Sequence, residues 1–136
     1  MKLIYVGELK KTPDRDWGWI RAFSGLGWDV TPYSSATKYP PSLLGKVQRR
    51  IHWGEPTRLI QDGLIRVISE VRPDWVHFRL PVSFSARTIR QISDNNIIVT
   101  NYFNDDPFSP NALKMYFRRF KKAIPEYDAH FVFREH

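Results

Sequence analysis

Two adjacent carboxylates, Asp105 and Asp106, stand in the stretch NYFNDDPFSP (101–110), directly after the apolar run 97–100. A carboxylate at the end of a buried strand can bind the hydroxyls of a polar substrate or serve as a general base. Neighbours in an extended loop point to opposite sides, so the two are poorly arranged to share one metal ion. Their local use would be structural: Asn104 or one of the aspartates closes the turn before Pro107, and Ser109 caps a helix with Pro110 at its first position. Arg79, at the tip of another apolar run, is open to two readings. It is either a clamp on Asp105 or Asp106, since buried charges tend to be paired, or an anchor for phosphate or carboxylate. His77, on the same face as Arg79 and Trp75, reads as a hydrogen-bonded packing histidine rather than a base. Trp19 reads as core, and Trp17 as core or as a stacking surface for a ring or sugar.

The familiar alternatives are missing. Gly7 is followed by Glu8, Leu9 and Lys10, which is not the glycine fingerprint of a dinucleotide site, and no P-loop, zinc-protease or serine-hydrolase motif is present. Without cysteine there is no disulfide, thiolate metal site or cysteine nucleophile. A chain of 136 residues is one domain by length. No apolar run approaches the roughly 18 residues of a membrane span, and the opening MKLIYVGEL reads as a strand rather than a signal peptide, so the expected location is cytoplasmic.

The elements that position these residues follow from apolar periodicity. Strands are expected at 2–7, 28–33, 74–80, 97–103 and 129–133, and helices at 14–26, 42–53, 57–71, 85–94 and 110–124. Trp19, Phe23 and Leu26 mark the inner face of the first helix, and Leu59, Ile60, Leu64, Ile65 and Ile68 that of the third. Short strands alternating with helices give an α/β, Rossmann-like, doubly wound parallel sheet of about five strands with helices on both faces. Ligands of such sheets bind beyond the carboxyl ends of the strands, which selects the connections at 7–16, 33–35, 79–85, 101–109 and 134–136.

The chain carries 21 Lys and Arg against 14 Asp and Glu, a net +7 that favours anionic partners. The excess lies largely in two helices, at Lys46, Arg49 and Arg50 and at Lys114, Arg118, Arg119, Lys121 and Lys122. Three readings are open: solvated helical faces, contact with an anionic membrane at the inner face, for which Leu43, Leu44, Val47 and Ile51 supply an apolar side, and nucleic acid. The last is disfavoured, because no nucleic-acid motif accompanies the charge.

MKLIYVGEL, the Gly-Leu-Gly-Trp-Asp-Val that ends the first helix, Arg72-Pro-Asp-Trp-Val76, Asn104-Asp-Asp-Pro-Phe-Ser109 and Glu126-Tyr-Asp-Ala-His-Phe-Val-Phe133 occur in that order. In this the chain resembles the N-terminal half of CgeB-like glycosyltransferases, which are similar to the two-domain GT-B class. The Asp-Asp-Pro-Phe element is the distinctive part. The resemblance implies that residues 1–136 form the acceptor-side domain, with a sugar or glycan acceptor in a cleft lined by Glu8, Asp16, Arg79, Asn104, Asp105 and Asp106. It implies that a C-terminal nucleotide-sugar-binding domain holds the donor, with no obligatory metal or cofactor, and that this chain by itself is an incomplete, inactive half ending at His136. No catalytic base is assigned. The rival expectation is a stand-alone flavodoxin-like binding or regulatory module, whose carboxylates and Arg79 recognise a partner or a small anion.

Overall fold

The computed structural model describes residues 1–9 and 15–132. The connection at 10–14, where the first helix was expected to begin, and the segment 133–136 at the end of the last expected strand lie outside the described residues.

Five strands form one all-parallel sheet: β1 (Lys2–Gly7), β2 (Asp29–Ser34), β3 (Trp75–Arg79), β4 (Ile98–Phe103) and β5 (Ala129–Val132), in the order β2-β1-β3-β4-β5. Helix α1 (Arg15–Gly25) joins β1 to β2, α2 (Leu43–Ile51) and α3 (Glu55–Val71) join β2 to β3, α4 (Ala86–Ser93) joins β3 to β4, and α5 (Lys114–Ala123) leads to β5 through a short 3-10 turn, Ile124–Glu126. This is the doubly wound, Rossmann-like α/β arrangement expected, with helices on both faces.

The register divides the strand residues between two layers. Leu3 pairs with Trp75, Tyr5 with His77 and His77 with Thr100, so these residues share the face covered by α1, where the Trp19 ring stacks on Phe23 and meets Tyr102. Ile4, Val6, Val76, Phe78, Val99 and Phe103 face the other way and form the main core with Leu64, Ile89 and Phe120 from α3, α4 and α5. His77 is the packing histidine expected. Thr100 Oγ1 accepts from Trp75 Nε1 at 2.7 Å and lies 2.8 Å from His77 Nδ1, and burial pushes the imidazole down to about 4.

Local signals set most boundaries. Ser42 Oγ accepts from Gly45 N at 3.1 Å and Ser85 Oγ from Thr88 N at 3.2 Å, capping α2 and α4. Three expectations need correction. α5 starts at Lys114 and not at Pro110, because Ser109 closes a turn instead of capping a helix: its carbonyl accepts from Ala112 N at 2.9 Å and its hydroxyl from Asn111 N at 3.4 Å. Leu26 lies beyond the end of α1, where the chain reverses through Gly27 at φ 90°, and is exposed. Leu59 is also exposed, because the buried stripe of α3 runs through Thr57, Gln61, Leu64 and Ile68 and turns it to the opposite side.

Candidate functional site

The connection leaving β1 runs outward to β2, whereas that leaving β2 crosses back over β1 to β3. The strand order therefore reverses between β1 and β3, and the loops beyond their carboxyl ends part there. Gly7-Glu8-Leu9 stands on one side of this switch point and Arg79-Leu80-Pro81 on the other. Leu80 has φ 52°, a left-handed conformation uncommon for its type. Its N–H donates to Tyr102 O at 3.1 Å and its carbonyl accepts from Val82 N at 2.8 Å, which holds the turn in place.

Below the switch point lies a buried ion pair. Asp16, in the first turn of α1, has no exposed surface. Tyr5 Oη donates to its Oδ1 at 2.7 Å, and Arg79 Nη1 donates to its Oδ2 at 2.9 Å. A methyl group at Gly7 would come within 2.6 Å of the same Oδ1, so only glycine lets the end of β1 pass the carboxylate. This corrects the expected partner of Arg79: it is Asp16, not Asp105 or Asp106. The clamp ties α1 to β3 across the switch point.

Above the pair opens a cleft of about 780 Å³, within the range of small-molecule sites. Its lining carries the cations Lys38, Lys46, Arg49 and Arg79, the hydroxyls of Ser35, Thr37, Tyr39, Ser83 and Tyr116, and the carboxylate of Glu8. Burial pushes the Tyr116 phenol up, the carboxylates of Glu8 and Asp105 push the same way, and Arg49 opposes them. His52, left-handed at the end of α2, packs edge-on against Tyr116 at 4.6 Å and places Nδ1 3.0 Å from Ser83 Oγ. Its pKa falls to about 4, through burial first and the charge of Arg119 second, so at neutral pH the cleft wall holds a neutral imidazole.

The six residues expected to line one cleft are thus distributed. Glu8 and Arg79 line it, and Asp16 lies beneath it. Asn104, Asp105 and Asp106 instead border a separate apolar cavity of about 240 Å³ beyond β4 and β5, with Phe103, Phe108 and Phe120. Asp106 closes the local turn, its Oδ1 accepting from Phe108 N at 2.8 Å, while Asp105 is exposed and its charge reaches Tyr116. Tyr39, Lys46, Arg49 and Tyr116 were not singled out for the cleft. The available signal was Lys46 and Arg49 at i, i+3, which places them on one side of α2. Among the described residues, no group of three or more His, Asp or Glu is arranged to hold a metal ion.

No family model and no curated protein matches the chain. Among solved structures, a crystal structure from Bacillus subtilis described as the sporulation-specific glycosylase ydhD is similar over 94% of this chain and 46% of that one, at 12% identity and a TM-score of 0.43. The chain therefore spans less than half the length of that protein.

Proposed function

We propose that residues 1–136 are the acceptor-side domain of a GT-B type, CgeB-like glycosyltransferase, and that the acceptor is a sugar bearing a phosphate or carboxylate, held in the cleft over β1 and β3. The observation that carries this reading is the lining of the cleft. Lys38, Lys46 and Arg49 balance an anionic group, and the hydroxyls of Ser35, Thr37, Tyr39, Ser83 and Tyr116 with the Glu8 carboxylate offer the donors and acceptors that a sugar ring requires. In this reading a nucleotide-sugar-binding domain outside these residues supplies the donor, and Glu8 and Arg79 orient the acceptor. A stand-alone binding module for a small anion is the second reading, and the strand order 2-1-3-4-5, which is that of flavodoxin-like domains, favours it.

Calorimetric titration with glucose 1-phosphate, glucose and inorganic phosphate separates the two. The glycosyltransferase reading expects glucose 1-phosphate to bind more tightly than inorganic phosphate. Arg49→Ala should weaken it about tenfold, the loss of one charge-assisted hydrogen bond, and Glu8→Gln should weaken the sugar phosphate but not inorganic phosphate. Equal affinity for the two phosphates with no effect of Glu8→Gln selects the anion module. The absence of binding by any of the three removes the cleft from both readings.

A further inference from the structure

Helix α2 is assembled the wrong way round for a helix of a water-surrounded domain. The stripe turned into the protein is Gly45, Gln48 and His52, small or polar throughout, and Gly45 is pressed so closely on the Pro40 carbonyl that no side chain fits there. Apart from the half-buried Ile51, the apolar residues are turned outward with the cations: Leu43 is 80% exposed, Leu44 59% and Val47 47%, with Trp53 just beyond the helix at 56%. Amphipathic helices of globular domains bury their apolar stripe.

The flanks of this stripe are basic. α2 contains Lys46, Arg49 and Arg50, the neighbouring α5 contains Lys114, Arg118, Arg119, Lys121 and Lys122, and neither helix has a carboxylate. A groove beside Ile51 and Trp53 continues the surface to Met115, 49% exposed, and adds Arg87. Leucines to enter the acyl boundary, a tryptophan at headgroup depth and cations for lipid phosphates are the parts of an interfacial helix. Among the described residues no helix is long and apolar enough to cross a membrane, so the contact would lie in the plane of the surface.

We propose that the α2 face, with the adjoining cations of α5, docks this protein on anionic lipid bilayers. A basic face without apolar residues would suit nucleic acid; the outward leucines favour lipid. Lys46 and Arg49 also line the cleft, so docking would bring the cleft mouth to the headgroup layer. The docking does not depend on what the cleft binds.

Co-sedimentation with phosphatidylcholine vesicles, with and without phosphatidylglycerol, tests this. The protein should sediment with the anionic vesicles only. Leu43→Ser combined with Val47→Ser, both exposed and so expected to leave the circular dichroism unchanged, should reduce binding at least tenfold. Arg50→Gln and Arg118→Gln should each reduce it about fivefold. Three results would overturn the proposal: no sedimentation with anionic vesicles, binding indifferent to the two serines, or a serine-sensitive dimer by light scattering without vesicle binding. Binding to duplex DNA in place of vesicles would likewise assign the basic face to nucleic acid.

Discussion

Asp16 and Arg79 lie 63 positions apart, yet they form an ion pair of 2.9 Å at the switch point. Burying two charges costs several kcal/mol of desolvation each, and the attraction repays it only when the remaining hydrogen-bonding capacity is filled. Tyr5 fills part of it from β1. Removing Arg79 takes a counter-charge from a buried carboxylate, so Arg79→Ala is expected to destabilise the fold by about 3–5 kcal/mol. Asp16→Ala with Arg79→Ala should cost less than the sum of the single changes, because the residues are coupled. Urea denaturation of the two single variants and the double variant measures both quantities, and additive losses would show that the pair is not a clamp. The sequence marked Arg79 as a charge in need of a partner but pointed to the aspartates nearest in the pattern. Which carboxylate arrives is decided by where α1 starts over the sheet, and Gly7, which makes room for it, shows its purpose only beside Asp16.

At the scale of the elements, α2 forms one wall of the cleft, and its seat depends on one glycine. Alanine is the better helix former by about 1 kcal/mol, so Gly45→Ala on an unconstrained helix would stabilise. Here the added methyl meets the Pro40 carbonyl, and the sign should reverse. We expect a net loss above about 1 kcal/mol in urea denaturation, within the range seen for overpacking, together with weaker binding in the cleft as α2 is pushed off its seat. Stabilisation instead would mean that the 40–45 connection yields freely. The starts of α2 and α4, expected at 42 and 85, were legible to within one residue because apolar periodicity is local. The start of α5 was not: Ser109 and Pro110 fit a helix start as well as a turn, and Ser109 closes the turn, with Asp106 closing another beside it.

Over the whole molecule, the two buried histidines make stability depend on pH. His52 and His77 both have folded pKa values of about 4 against an ordinary 6.5. Between these limits the unfolded chain binds more protons than the folded one, so stability rises with pH through the window and is lost as pH falls from 6.5 towards 4. His77, the more deeply placed, should account for about 2 kcal/mol of the loss between pH 7.5 and pH 5. Thermal melts across this range should fall steeply for the wild type and less steeply for His77→Gln. Equal slopes would mean that the imidazole is protonated in the folded state.

The amino-acid sequence by itself determined the alternation of strands and helices and the parallel Rossmann-like sheet, because apolar periodicity is a property of neighbours along the chain. It also determined that cations outnumber carboxylates and that they gather on two helices. Only the tertiary structure decided that Arg79 meets Asp16, that Asn104, Asp105 and Asp106 border a small apolar cavity apart from the larger cleft, and that α2 turns its leucines outward. Each of these depends on contacts between segments far apart in sequence, and no local pattern encodes which helix face or which loop comes to rest against another.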